Sequence, residues 1–270
     1  NAIFDGSTVF RNAIFNKEAA IFGCIFNGNS DLRISKFMQP ASFKASTFNG
    51  SALFEKAEFD KRAQFSDALF LGLADFTDCI FKEDAVFEGA EFKSDLVLKR
   101  TDYKDLFIRW DNITNLPFDD SSYLLLIENF KKLGFWSDAD NCYYAYRSER
   151  NQFLPFHNRL VDFILLLLYG YGTKPGFSLF WIIFTIFSMG VILHKWKILK
   201  KDSMNASFLD AILFSAANFA SGAKSLSELI STPTKFTVAE RYQFLVIIER
   251  FLGMLLFALF LISLARTVIR

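Results

Sequence analysis

The stretch ASFKASTFNGSALFEKAEFDKRAQFSDALF, residues 41–70, decides the fold of the N-terminal part of this chain. Within it a phenylalanine returns in alternating steps of five and six residues, and an alanine or serine stands two positions before each phenylalanine. The same spacing extends outward to Phe4 on one side and to Tyr103 on the other, with an aliphatic residue in place of the ring at three positions. Positions two apart on an extended chain point the same way, so each small residue and the ring after it share one interior face. Helical periodicity does not fit this pattern.

A unit of five or six residues cannot bury its own apolar face. Coils stacked at the spacing of neighbouring strands, about 4.8 Å, would instead place one ring above another. A small residue beside each ring leaves it room, because protein interiors are close-packed. The pattern strongly resembles the pentapeptide-repeat family over residues 1–103. That resemblance implies a right-handed quadrilateral β-helix, a solenoid of four-sided coils.

The repeat departs from the pattern of that family in one respect. Every second unit has one extra residue, which gives eleven residues per pair of units. If four sides make a coil, as in the family, one coil holds about 22 residues and the segment forms about four to five coils. Such a rod would be on the order of 20 Å long, which is enough for a docking or spacing module.

The C-terminal part of the chain is a different kind of sequence. GFSLFWIIFTIFSMGVIL, residues 176–193, contains no charged side chain and is long enough to cross about 30 Å of hydrocarbon. A second apolar run is interrupted only by Glu249 and Arg250 near its beginning. We predict transmembrane helices over about residues 176–196 and 244–265. The alternative that stays open is a pair of long buried helices in a soluble domain.

A third apolar segment, FLDAILFSAANFASGA at residues 208–223, lies between the two predicted spans. It is too short to cross a membrane and apolar enough to enter one, so it predicts a re-entrant half-helix. The order span, half-helix, span over residues 176–270 resembles the two-transmembrane pore-loop cation channels related to potassium channels. The motifs are LFS at 213–215, NFASG at 218–222 and ERFLG at 249–253. The resemblance implies an α-helical pore domain that assembles as a homotetramer.

One segment would form the pore and its filter in such a channel. The residues that the resemblance assigns to it are Asn218, Phe219, Ala220, Ser221, Gly222 and Ala223. Potassium-selective relatives continue into Gly-Tyr-Gly-Asp, whereas Gly222 here is followed by Ala223 and Lys224. One glycine cannot support a stack of carbonyl rings, so we predict weak or altered selectivity among monovalent ions. Lys224 is expected either to place positive charge at a pore mouth or to extend into the headgroup layer.

The second predicted span contains three further candidate residues. Glu249 and Arg250 are costly inside a membrane unless they are paired or near the headgroups. We therefore expect an intramembrane charge pair, with a salt bridge at a subunit contact or at the pore mouth. Gly253 is expected to be either a flexible hinge of the span or a site of close packing against another helix.

Residues 104–156 are expected to form a helical connector. It would close the open end of the β-helix or act as a gating linker to the first span, and the sequence leaves both roles open. Residues 157–175 predict a helix on the membrane surface followed by a bend. The tripeptide Gly170-Tyr171-Gly172 in that bend spells a potassium filter, but no apolar run long enough to span a membrane precedes it.

Charge and motifs argue against several other functions. Residues 1–103 contain 15 acidic and 12 basic residues, a net charge of −3, which is too mild for mimicry of DNA. No basic patch with interleaved aromatic residues indicates nucleic-acid binding. The three cysteines fit no metal spacing, and we find no nucleophile elbow, phosphate-binding glycine loop or histidine-rich site. We expect no enzymatic activity and no cofactor.

The sequence as a whole predicts a homotetrameric ion channel of the cell membrane. Two spans place both ends of the chain on one side, and the repeat begins without a secretory signal, so we expect the β-helix in the cytoplasm. The basic residues beside the spans do not decide the orientation. The expected partners are the lipid bilayer, identical subunits and a protein that docks on the β-helix. The alternative is a non-conducting membrane anchor for a repeat scaffold.

Overall fold

The computed structural model describes residues 2–201, 204–220, 236–238 and 240–268 of the 270-residue chain. The chain divides into two compact units, Asn1–Phe153 and Leu154–Arg270. The first unit consists of short strands followed by two helices. The second consists of helices and a small sheet.

The first unit begins with a succession of short strands, most of them two residues long. They are β1 (Ile3–Phe4), β2 (Thr8–Val9), β3 (Ile14–Phe15), β4 (Ala19–Ala20), β5 (Ile25–Phe26), β6 (Ser30–Asp31), β7 (Lys36–Phe37), β8 (Ala41–Ser42), β9 (Thr47–Phe48), β10 (Ala52–Leu53), β11 (Glu58–Phe59), β12 (Ala63–Gln64), β13 (Leu69–Phe70), β14 (Ala74–Asp75), β15 (Ile80–Phe81), β16 (Ala85–Val86), β17 (Glu91–Val97), β18 (Asp102–Tyr103), β19 (Leu106–Phe107) and β20 (Ile113–Asn115). Strands β1 to β13 each pair in parallel with the strand four places later in the chain, and β14 to β17 each pair with the strand three places later.

The register of these pairs repeats every 22 residues over most of the solenoid. Phe37 pairs with Phe59, and Phe59 pairs with Phe81. One ladder contains β1, β5, β9, β13 and β17, which corresponds to about five coils. The predicted solenoid of parallel strands is confirmed, and its ladders continue past residue 103 to Leu106–Phe107 and Ile113–Asn115. The quadrilateral cross-section and the right-handed sense stay predictions.

Phenylalanine rings stack along the solenoid and fill its interior. One column consists of Phe4, Phe26, Phe48, Phe70 and Phe92, with centroids 4.8–4.9 Å apart and planes within 5° of parallel. This spacing matches the separation of about 4.8 Å between paired strands, because each ring follows its strand. Neighbouring columns meet edge to face, as Phe54 and Phe65 do at 5.4 Å, and both arrangements are favourable for aromatic rings.

A left-handed backbone recurs at two turns in each coil of the solenoid. Positive φ values occur eleven residues apart at Asn12, Gly23, Ile34, Ala45, Lys56, Asp67, Asp78, Gly89 and Arg100. Each lies in a tight turn of a five-residue step. In eight of the nine turns a backbone N–H donates to the carbonyl of the preceding Phe or Leu of the ladder, as Ala57 does to Phe54 at 2.9 Å. After Gly23 the N–H of Cys24 donates instead to Ser46 Oγ at 3.2 Å. Positive φ at this position of a turn is easiest for glycine and costs an L-residue roughly 1–2 kcal/mol.

A group of four charged side chains on the outside of the solenoid joins three coils. Lys36 lies 3.1 Å from Glu58 and 3.7 Å from Asp60, and Lys82 contacts both carboxylates, with 2.7 Å to Asp60. The hydrogen bonds from Lys82, the largest cause, hold the pKa values of Glu58 and Asp60 below their usual range. The same two bonds raise the pKa of Lys82.

Two helices, α1 (Asp120–Lys132) and α2 (Trp136–Asn151), follow the last coil. The side-chain amide of Asn129 on α1 takes the place of a further strand, since it accepts from the N–H of Leu106 at 3.0 Å and donates to the Leu106 carbonyl at 2.8 Å. The hydroxyl of Ser122 donates to the carbonyl of Leu98 at 2.9 Å. These bonds satisfy backbone groups at the edge of the last coil, so the helices cover that edge.

The second unit begins with α3 (Phe156–Tyr169) and continues through α4 (Pro175–Lys195), β21 (Leu199–Lys201), β22 (Met204–Asn205), α5 (Phe208–Ala220), β23 (Phe236–Val238) and α6 (Gln243–Val268). β21 pairs antiparallel with both β22 and β23. This small sheet was not predicted from the sequence. Leu199 of the sheet is buried together with Leu193 of α4 and Ala211 of α5.

Candidate functional site

Two helices of the second unit, α4 and α6, are long and apolar enough to cross a membrane. The 21 residues of α4 and the 24 residues Gln243–Arg266 of α6 reach about 30 Å and 36 Å at 1.5 Å per residue. Only 22% and 17% of their apolar segments are buried within the chain, whereas a core helix of a soluble protein is mostly buried. The rest of each apolar segment is exposed on the surface of the described chain.

The short helix α5 lies against both long helices. Its 13 residues extend about 20 Å, which is too short to cross the hydrocarbon layer of about 30 Å. A capping box opens α5, because Ser207 Oγ accepts from the Asp210 N–H at 3.1 Å while the Asp210 carboxylate accepts from the Ser207 N–H at 3.2 Å. Phe219, near the end of α5, lies against Gly253 of α6. Gly253 is about 15 Å along α6, so α5 ends near the middle of that helix.

Two glycines allow α5 to approach the long helices closely. A Cβ added at Gly190 of α4 would lie 2.7 Å from Cγ1 and 3.1 Å from Cα of Ile212. A Cβ added at Gly253 of α6 would collide with the main-chain carbonyl of Phe219. At both glycines the main chain of the long helix therefore comes close to α5. Such close approach is common where small residues line helix interfaces in membranes.

A group of hydrogen-bonded polar side chains lies buried between α5 and α6. The carboxyl of Glu249 on α6 is 0% exposed, and it contacts the hydroxyl of Ser215 and the amide of Asn218, both on α5. Asn218 Nδ2 donates to Glu249 Oε2 at 2.6 Å and to the Val246 carbonyl at 3.1 Å. Ser215 Oγ also lies 2.9 Å from the carbonyl oxygen of Ile186 on α4. The group ties α5 to both long helices.

Arg250 joins the same group through Asn218. Its Nε donates to Asn218 Oδ1 at 2.7 Å. In the part of the chain that the structure describes, Asn218 thus bridges Glu249 and Arg250, which form no direct ion pair. These contacts are all made within one chain, so a salt bridge at a subunit contact stays a prediction.

The structure describes only some of the residues that were predicted to form the pore. Asn218 and Phe219 are buried, at 4% and 6% exposure, and Ala220 is half-buried at the end of α5. The predicted filter residues Ser221, Gly222 and Ala223 and the predicted mouth residue Lys224 lie outside the described residues. Their roles stay predictions.

Sequence reasoning missed two residues of this site. Ser215 belongs to a motif that was matched to channels, but it was not assigned a role, and Gly190 was read only as part of an apolar span. Ser215 and Asn218 are three residues apart, which places them on the same side of a helix. That spacing in an otherwise apolar segment was the available signal, although it does not say which neighbouring helix the two side chains face.

The tripeptide Gly170-Tyr171-Gly172 forms the bend between α3 and α4. All three residues have positive φ. The Tyr171 hydroxyl donates to Asp162 Oδ2 of α3 at 2.6 Å, and Arg266 Nη1 of α6 donates to the Tyr171 carbonyl at 3.5 Å. The beginning of α4 and the end of α6 therefore lie side by side.

Comparison with known proteins identifies the family of the repeats. Residues 35–80 and 54–102 match the family model described as Pentapeptide repeats, with nine copies. The solenoid is built from pentapeptide repeats. No curated protein and no solved structure shows significant similarity to the chain. The resemblance of the C-terminal part to pore-loop channels stays a prediction.

Proposed function

We propose that this chain is one subunit of a tetrameric pore-loop ion channel with a pentapeptide-repeat solenoid attached to it. The observation that supports the proposal is α5, a helix too short to span, held between two helices that are long enough. A membrane anchor made of two spans has no need for such a helix. A channel needs it, because a half-helix brings its end to the permeation path in the interior of the membrane.

The position of α5 suits this role. Its beginning is capped by Ser207 and Asp210, and its end lies about halfway along α6, next to Gly253. The carbonyl groups at the C-terminal end of a helix have partial negative charge, which favours cations nearby. Backbone groups freed at this depth need protein or water as partners, and a water-filled pore supplies them.

The permeant ions that we propose are monovalent. The segment after α5 lacks the Gly-Tyr-Gly-Asp sequence of potassium-selective relatives, so selectivity among these ions is weak. A ring of four Lys224 side chains would lower cation conductance through electrostatic repulsion. Replacement of Lys224 by Gln therefore raises cation current, and an unchanged reversal potential and conductance would assign Lys224 to the headgroup layer.

We place the solenoid on the cytoplasmic side of the cell membrane. The beginning of α4 and the end of α6 lie side by side at Tyr171 and Arg266, which supports a topology in which both chain segments leave the membrane on one face. A cysteine introduced at the exposed solenoid residue Asp102 tests the orientation. The native cysteines are buried, so a membrane-impermeant thiol reagent reports on the new one. Labelling in inside-out but not right-side-out vesicles is expected, and the reverse pattern would overturn this placement.

Single-channel recording tests the channel itself. The purified full-length chain is placed in planar bilayers under a potassium gradient, followed by sodium and chloride substitution, with its subunit number measured by native mass spectrometry. Currents are expected from the wild type and from Gly176→Ala, a substitution on α4 with nothing within 4 Å of the added Cβ. Gly253→Ala, which displaces α5, is expected to abolish them.

The second candidate is a non-conducting anchor for the repeat scaffold. The observation that favours it is that Ser215 and Asn218 of α5 are both engaged with α4 and α6 inside one chain. In that case α5 would serve only to fill the space between the spans. A confirmed tetramer that stays silent under voltage and membrane tension would support the anchor, as would a chain that remains monomeric.

A further inference from the structure

The hydroxyl of Ser215 lies against two oxygen atoms. One is the main-chain carbonyl oxygen of Ile186, 2.9 Å away on α4, and the other is Oε1 of Glu249 on α6. A hydroxyl has one hydrogen to donate, and a carbonyl oxygen has none. If Glu249 is a carboxylate, one of the two oxygen pairs has no hydrogen between its atoms. If Glu249 is the neutral acid, it donates to Ser215, and Ser215 donates to Ile186.

Each of the other hydrogen bonds described for the group has its hydrogen in either case. The two hydrogens of Asn218 Nδ2 go to Glu249 Oε2 and to the carbonyl of Val246. The hydrogen on Arg250 Nε goes to Asn218 Oδ1. The single undecided hydrogen is therefore the one between Glu249 and Ser215. Only the neutral acid gives each of these contacts one hydrogen.

We propose that Glu249 is a proton-binding site inside the membrane and that its neutral acid is the form that holds α5 between α4 and α6. In this form the hydrogen bonds run in one direction. Asn218 donates to Glu249, Glu249 donates to Ser215, and Ser215 donates to the Ile186 carbonyl. A buried polar network with every member satisfied is rigid, whereas a partly satisfied one is costly. The inference rests on these hydrogen bonds and does not require that the channel conduct.

Among the residues that the structure describes, the surroundings of Glu249 contain one other charged group. α4 contributes the Ile186 carbonyl, α5 contributes Ser215 and Asn218, and α6 contributes Arg250, which is exposed and donates to Asn218. Asp210 of α5 is bonded to Ser207 at the other end of that helix. The Arg250 charge is turned toward Asn218, so Glu249 has neutral hydrogen-bond partners on both of its oxygens.

Loss of the proton to water would change the connections of α5. The carboxylate left behind accepts the only hydrogen of Ser215, and the Ile186 carbonyl then loses its contact with Ser215. The tie between α5 and α4 at this point would open while the tie to α6 through Asn218 stays. Alkaline conditions are thus expected to loosen α5 from α4.

Infrared spectroscopy of the full-length protein in lipid vesicles tests the assignment. Exposed carboxyl groups are ionised at neutral pH, so a carboxylic acid C=O band there reports a buried acid. The wild type is expected to show this band and Glu249→Gln to lack it. Asp138→Asn, which changes a buried carboxylate paired with Arg109, is expected to keep it. Absence of the band from the wild type, or its survival in Glu249→Gln, overturns the proposal.

Amide hydrogen exchange of the same samples tests the consequence. Gln at position 249 can donate to Ser215 and accept from Asn218, so it reproduces the neutral acid and should fold. Exchange in α5 is expected to accelerate several-fold in the wild type as the pH rises, after correction for the intrinsic rate, and to show no such acceleration in Glu249→Gln. A matching acceleration in both proteins, or none in either, contradicts the role of the proton.

Discussion

Seven of the nine positive-φ positions in the turns of the solenoid are occupied by residues other than glycine. Asparagine and aspartate tolerate this conformation because their short polar side chains bond to the local backbone. Ile34 is the unfavourable case, since a β-branched side chain crowds the carbonyl oxygen at positive φ. Its side chain is 47% exposed, so packing gives little in return.

Replacement of Ile34 by asparagine is expected to stabilise the solenoid by about 1 kcal/mol, because it relieves the left-handed strain. The matched control is Ile25→Asn, since Ile25 is also partly exposed but lies in the extended strand β5, where asparagine is unfavourable. Thermal unfolding of the full chain in detergent, followed by the β-sheet signal in circular dichroism, gives the difference. A gain at both positions, or at neither, would show that backbone strain is not the cause.

The features that could be predicted from the sequence are those that follow from the spacing of nearby residues. The ring positions follow from spacing alone, so the strands around Phe37 and Phe59 were foreseeable. The left-handed state of Ile34 was not, because neither isoleucine nor its neighbours signal a positive φ. The partners of Glu249 were unforeseeable for a different reason, namely that Ser215 and Asn218 are distant in sequence and meet it only when α5 docks.

At the scale of elements, the seating of α5 depends on the absence of two side chains. Gly190→Ala and Gly253→Ala are each expected to destabilise the second unit by about 1–3 kcal/mol, because the added methyl groups meet Ile212 and the Phe219 main chain. Gly176→Ala, in the first turn of α4 and in open space, is the control. Thermal stability in detergent measures the effect. Equal midpoints for all three variants would contradict the close packing of α5.

The charged group of Lys36, Glu58, Asp60 and Lys82, which joins three coils, makes a pH-dependent contribution to the stability of the solenoid. Because Lys82 lowers the pKa values of Glu58 and Asp60, their stabilisation is present above the ordinary carboxyl range, near pH 4, and is lost as the pH falls through the lowered values. Lys82→Met should lower the unfolding midpoint at neutral pH, and this deficit should disappear as the pH falls through the lowered pKa values of Glu58 and Asp60. Lys56→Met, at a single exposed pair with Glu55, should be nearly neutral throughout. A Lys82→Met deficit that persists in acid would point to lost packing instead.

At the scale of the whole molecule, the two apolar helices predict that the chain resides in a membrane. The wild type should remain with membranes after alkaline carbonate extraction. The double substitution Phe184→Asp and Leu255→Asp places a charge near the centre of each span, at about 2.5–3.5 kcal/mol each by insertion scales, and should release the protein. Leu124→Asp with Leu125→Asp, two exposed leucines of α1, should leave it bound. Release of the wild type would favour a soluble fold.

Because the register repeats every 22 residues, one coil is the unit in which the length of the solenoid can change. Duplication of any 22-residue segment within it would lengthen the rod by about 4.8 Å and leave the ladders before and after the insertion in line. Duplication of eleven residues would instead carry the rest of the chain halfway round a coil. The capping helices would then leave from the opposite side. Insertion of whole coils would thus lengthen the solenoid without rotating the capping helices that follow it.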